Sequence, residues 1–170
     1  MITTYMNINL FRKTESGLDL RRAHIEWLDR SEHTHFVTLN FHATYTERAA
    51  IDRLRKWNLN VRSRLFRSRD FENCPRDELF RFVAYPEYAP TSGHFHYHAL
   101  AYVTGQRRDW FEKCAASLWK AIIPSGTCDV RALETEKDVS CVAQYISKLA
   151  ERPFSYNGFI VSRMLDTPGS

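Results

Sequence analysis

His94-Phe95-His96-Tyr97-His98-Ala99-Leu100-Ala101-Tyr102-Val103 reads as a β-strand with two unlike faces. Side chains alternate along a strand with period two, so His94, His96 and His98 project from one side. Phe95, Tyr97, Ala99, Ala101 and Val103 project from the other, towards packed helices. In-phase neighbours stand ~7 Å apart along a strand, a span that two imidazoles can close around one ion. Neutral imidazole suits divalent transition metals. The strand thus predicts a sheet with one packed face and one face free to carry a site.

The flanking sequence supplies the rest of that sheet. Leu79 to Tyr85 reads as a strand, and Pro86 to Gly93, with two prolines and a glycine, as the loop that follows it. His33 to Phe41 is rich in aromatic and β-branched residues and reads as another strand. Between them, Thr44 to Arg69 carries Ile51, Leu54, Val61 and Leu65 at helical spacing, with Thr46 as its N-cap. Asp109 to Ala121 reads as a helix and Thr127 to Leu133 as a short strand. A last helix, capped by Asp138, runs to about Ala150 before Pro153. The order β-α-β-β-α-β plus a helix is the split βαβ, ferredoxin-like plan. The expectation is one α+β domain spanning residues 1–170: a five-stranded antiparallel sheet with helices packed on one face, the residues before about position 30 adding a strand and a helix.

Charge is concentrated rather than diffuse. The net charge is +4, yet the stretch from Arg48 to Arg69 alone carries +7 and the remainder −3. Arg48, Arg55, Arg62 and Arg69 recur every seven residues beside the apolar stripe. A local basic patch points to a polyanionic partner, with these four as candidate nucleic-acid contacts. No apolar run is long enough to span a bilayer, so no membrane partner is expected. Met1 to Lys13 lacks the pattern of a secretory signal. Cys74, Cys114, Cys128 and Cys141 form no Cys-x-x-Cys pair and read as reduced core or surface thiols.

Two further features bear on chemistry. Glu87 precedes His96 by nine residues and can complete a three-ligand set that leaves coordination positions open; Glu134 and Glu136 are competing carboxylates. On the last helix, Val142, Ile146 and Leu149 form the inward stripe, while Tyr145 and Lys148, three apart, are surface neighbours. An ammonium beside a phenol favours the phenolate and can neutralise charge on a phosphate.

Taken together these residues resemble the HUH endonucleases, the rolling-circle replication initiators, single-strand transposases and relaxases. His96-Tyr97-His98-Ala99-Leu100-Ala101 is similar to their His-hydrophobe-His motif, and Phe36-Val37-Thr38-Leu39-Asn40-Phe41 to their first motif. Val142-Ala143-Gln144-Tyr145-Ile146-Ser147-Lys148 resembles the Tyr-x-x-Lys motif of the single-tyrosine initiators. The resemblance implies His96 and His98 as metal ligands, with Glu87 or the extra His94 beside them, and Mg²⁺ or Mn²⁺ as the metal. It implies Tyr145 as nucleophile and Lys148 as its partner, acting on single-stranded DNA or an extruded origin hairpin. The product would be a 5′-phosphotyrosine and a free 3′-hydroxyl. There is no second Tyr at position 149, and Tyr5 is the residue that a relaxase-like arrangement would use. The sequence has no P-loop, so a helicase would come from another domain or protein. The place of action would be the cytoplasm, or the host nucleus for a virus of eukaryotes. The rival readings are a transposase or relaxase of the same superfamily, a non-catalytic RRM-like module, since RRMs share the βαββαβ order, and a zinc hydrolase using His94, His96 and His98.

Overall fold

A computed structural model describes residues 17–65, 76–150 and 158–165. Its elements are α1 (Gly17–Arg30), β1 (His35–Asn40), α2 (Glu47–Leu65), the single turn α3 (Arg76–Leu79), β2 (Phe80–Tyr88), β3 (Phe95–Val103), α4 (Arg108–Lys120), β4 (Thr127–Ala132), α5 (Glu136–Ala150) and β5 (Ile160–Val161). The strands form one sheet in the order β4-β1-β3-β2-β5, and every pairing is antiparallel. The first four are the split βαβ arrangement, with β3 inserted between β1 and β2. The α+β class and the five strands agree with the sequence reading. The helix expected before position 30 is α1, and the strand expected beside it lies outside the described residues; the fifth described strand, β5, comes from the far end of the chain, Ile160 pairing with Ala84 and Val161 with Val83.

Period two along the strands and period 3.6 along the helices together build the core. Val37 and Leu39 from β1 and Phe41 just beyond it, Phe82 and Ala84 from β2, and Phe95, Tyr97, Ala99, Ala101 and Val103 from β3 share one buried cluster with α2 and α4. From α2 it takes Ala50, Leu54, Trp57, Val61 and Leu65, and from α4 Phe111, Ala115, Leu118 and Trp119. α2 starts where expected, for the Thr46 hydroxyl accepts the Ala49 N–H at 3.3 Å.

The opposite face is also partly covered. Leu28 of α1 and Val142, Ala143 and Ile146 of α5 pack on Val83, Tyr85 and Leu100, with Phe36 at the margin. So α2 and α4 form the helical layer foreseen on one face, and α1 and α5 add a second on the other. The start of α5 corrects one detail. Thr135 is the N-cap, its hydroxyl accepting the Asp138 N–H at 3.2 Å, and Asp138 Oδ2 accepts the Thr135 N–H at 3.0 Å. Asp138 thus closes a reciprocal capping box from inside the first turn instead of capping the helix.

Candidate active site

β2 and β3 together set the geometry. The expected loop from Pro86 begins later, because β2 continues through Glu87 to Tyr88. Pro86 lies past the two-residue β5, where β2 is an edge strand among the described residues and a missing N–H is tolerated. This extension puts Glu87 directly opposite His96 in the ladder, and cross-strand partners share a face.

The result is a compact cluster. Glu87 Oε2 lies 3.0 Å from His96 Nε2 and 3.1 Å from His98 Nε2. Glu87 and His98 are buried and His96 half-buried. Among the described residues this is the one group of three or more metal-ligating side chains, its ligand atoms all within 4.8 Å of one another. Two donors at right angles on an ion ~2.1 Å away stand about 3 Å apart, so one carboxylate and two imidazole nitrogens at this spacing fit a divalent cation.

Neighbours hold the imidazoles. Thr38 Oγ1, on the facing strand β1, is 3.2 Å from His98 Nδ1, and the Phe36 ring lies parallel to that of His98 at 5.6 Å. Burial holds the His98 pKa below its ordinary value, and His96 pushes the same way against the opposing pull of Glu87. A neutral His98 keeps a nitrogen lone pair available for a metal.

Tyr145 stands beside the cluster. The inward stripe of α5 seats the helix on the sheet, which brings the Tyr145 ring edge-on to His98 with centroids 5.5 Å apart. The side chain is 46% exposed, so it borders the cluster and solvent at once. Lys148 follows one turn later on the same helix, but its side chain lies outside the described residues.

Other candidates are placed elsewhere. His94 stands one residue before β3 and outside the ligand group; Glu134 and Glu136 are exposed and also outside it. The basic helix α2 packs on the opposite face of the sheet from Glu87, His96 and His98. Arg48 is exposed there, and Arg55 is half-buried and paired with Asp52 at 2.7 Å. Arg62 departs from the surface role expected of it: it is 3% exposed and its guanidinium donates to the Phe80 carbonyl at 3.3 Å, tying α2 to β2. Arg69, Tyr5 and Cys74 lie outside the described residues, while Cys114, Cys128 and Cys141 are free thiols. No described helix is long and apolar enough to cross a membrane.

Sequence reasoning missed Thr38 as a partner of His98. Its in-phase position with Phe36 was visible, but the register that brings it across from His98 was not.

Among known proteins, no curated protein and no solved structure matches the chain. A family model for the replication-associated proteins of the ORF2 type matches residues 33–150. That stretch runs from the lead-in to β1 to the end of α5 and holds Glu87, His96, His98, Tyr145 and Lys148. Since it spans more than half of the sequence, the chain belongs to this replication-associated protein family, whose description links it to replication.

Proposed function

We propose that this protein is a single-tyrosine HUH endonuclease that nicks and rejoins single-stranded DNA to start rolling-circle replication. The observation that carries the reading is the contact of Tyr145 with His98, whose Nε2 converges with that of His96 on Glu87 Oε2. A nucleophile and a set of metal ligands on different elements meet at one point of the sheet.

Glu87, His96 and His98 would hold the cation, Mg²⁺ or Mn²⁺. Bound there, a divalent ion supplies Lewis-acid polarisation of the scissile phosphate. With the cation on Nε2, Thr38 Oγ1, 3.2 Å from His98 Nδ1, would accept the Nδ1–H and keep Nε2 as the liganding atom. Tyr145 Oη, its proton passed to solvent, attacks phosphorus in line. An Oη–P bond forms, the P–O3′ bond breaks, and the departing 3′-oxygen takes up a proton. The 5′-phosphate stays on Tyr145, and attack by a 3′-hydroxyl reverses the step without a nucleotide cofactor. Lys148 follows Tyr145 by one turn, where its ammonium would offset phosphate charge.

The substrate is single-stranded DNA or an extruded origin hairpin, and duplex unwinding falls to a helicase on another domain or protein. The cytoplasm, or the nucleus of an infected eukaryotic host, is the proposed place of action. The test is incubation with origin-derived single-stranded oligonucleotides and Mn²⁺, read on denaturing gels. The expected result is a covalent adduct that Tyr145→Phe and EDTA each abolish. An adduct that persists in Tyr145→Phe overturns the nucleophile assignment, and one that persists in EDTA overturns the metal.

A further inference from the structure

His94 has no place in the ligand group, and a second histidine stands beside it. Up to Asn40, β1 keeps a regular register with β3, Asn40 facing His96. Beyond that point the ladder is interrupted. Phe41 N donates to Phe95 O at 3.1 Å, while Phe95 N donates to Ala43 O at 3.0 Å, so His42 is an inserted residue between two bonds to one partner. Its φ is +50°, the one positive φ at a non-glycine among the described residues. An L-residue meets a steric penalty there and keeps that conformation only where its surroundings impose it.

The surroundings do impose it. Asn40 Oδ1 accepts the His42 N–H at 2.7 Å, and the His42 imidazole Nε2 is 3.0 Å from Thr127 Oγ1 at the start of β4. The ring is thereby held beside His94, centroids 6.4 Å apart and nearly perpendicular. Insertions of this kind re-aim side chains and are frequent next to active sites. Here the re-aimed imidazole lies two residues past Asn40, the cross-strand partner of the ligand His96.

A second metal is a poor fit to this pair. The liganding pair His96 and His98 has ring centroids 4.8 Å apart, against 6.4 Å for His42 and His94. The described residues also offer no third ligand that makes a group with them. What the two imidazoles do offer is ring N–H groups at the edge of the ligand cluster, His42 exposed and His94 partly so. Such donors suit the non-bridging oxygens of a phosphodiester.

We infer that His42 and His94 form a positioning pair that hydrogen-bonds the phosphodiester adjoining the scissile one, holding the strand in register over Glu87, His96 and His98. The inference rests on the nicking reading above.

The test uses the full chain and two measurements. The first is equilibrium binding and single-turnover cleavage of a single-stranded origin oligonucleotide, carrying either natural linkages or a neutral methylphosphonate at the linkage next to the nick. The second is Mn²⁺ affinity from thermal shift without DNA. His94→Ala and His42→Ala should each weaken oligonucleotide binding by about tenfold, the value of one hydrogen bond to a charged acceptor. The methylphosphonate should weaken wild-type binding and add no further loss in the variants, and Mn²⁺ affinity should stay within about twofold. His42→Gly separates contact from folding, because glycine favours the positive φ. It should bind DNA as poorly as His42→Ala while melting no lower than wild type. Natural-oligonucleotide affinity unchanged in His42→Gly and His94→Ala overturns the proposal, as does full methylphosphonate sensitivity in the variants. A tenfold loss of Mn²⁺ affinity in His94→Ala overturns it too, by making His94 a ligand. If wild type binds the oligonucleotide but forms no adduct, the nicking reading fails while the binding comparison still decides the role of the pair.

Discussion

On one face of the sheet, Val37, Leu39, Ala84, Tyr97, Ala99 and Ala101 are sealed under α2 and α4. On the other, the same three strands turn Thr38, Glu87, His96 and His98 to a surface that α1 and α5 cover only in part. The faces differ in chemistry because they differ in what they must exclude. The first removes water from large rings, among them Trp57, Trp119, Phe80 and Phe111, and gains stability by area. The second buries a carboxylate and an imidazole that each need a partner, and it satisfies them with one another. A half-buried cluster that could hold a metal ion keeps its geometry only if the backbone beneath it is fixed, and the apolar face fixes it. The contrast extends to charge. The basic helix belongs to the packing face, and Arg62 shows that part of its charge went into fastening α2 to β2.

The largest effect should come from breaking the packing face. Trp57 is fully buried, meets Phe80, Phe82 and Phe111 edge-on or tilted, and donates its indole N–H to the Ala115 carbonyl at 3.3 Å. Trp57→Ala leaves a large cavity and loses the bond to the Ala115 carbonyl, and should cost about 3–5 kcal/mol of unfolding free energy in denaturant titration. Tyr145→Ala, on the other face and half exposed, should cost less than about 1 kcal/mol. Equal losses would erase the distinction between a face whose burial carries the stability and one whose side chains stay partly open to solvent.

Acid should act on the second face through His24, as it should at the lead-in to β1 through His33, whose pKa burial and Arg81 also lower to about 4. Burial lowers the pKa of His24, which hydrogen-bonds Tyr85 beneath α1, from 6.5 to about 4. The folded state resists the proton that the unfolded state takes up below 6.5. Stability is therefore complete above 6.5 and falls as pH drops towards 4, by up to about 3 kcal/mol from this residue. Thermal melts should decline steeply between pH 6.5 and 4 in the wild type and less steeply in His24→Gln, which cannot titrate. Identical slopes would remove His24 as an acid-sensitive group.

The two faces were not equally legible. The alternation His94 to Val103 announced both, and the spacing of Ile51, Leu54, Val61 and Leu65 marked the inward side of α2, because periodicity is a local property; Ile51 is only half-buried, and Ala50 and Trp57 share the buried side. Glu87 was named for its closeness to the histidines along the chain, yet it was assigned to a loop, since Pro86 signals a turn unless one knows that β2 is there an edge strand. Arg62 looked like surface because its charge says so; only the approach of β2 to α2 reveals the carbonyl it binds. Thr38 and the kink at His42 depend on pairing between segments about sixty and fifty residues apart, which no local window contains.

The smallest predicted effect probes how the second face holds its geometry. With a metal on Nε2 of His98, the single proton of the neutral ring would sit on Nδ1 and need an acceptor, and Thr38 Oγ1 stands 3.2 Å from that nitrogen. Thr38→Val keeps the β-branched shape and removes that acceptor, so the ring loses the bond that selects its tautomer and orientation. Mn²⁺ affinity should fall by about 10–100-fold, with the melting temperature of the metal-free protein little changed, for the half-buried side chain contributes mainly through His98. Thr38→Ser retains the hydroxyl and should recover most of the affinity. If Val binds Mn²⁺ as tightly as Thr, the imidazole is held by its stacking on Phe36 alone, and the face would owe its order to ring packing, as its opposite does.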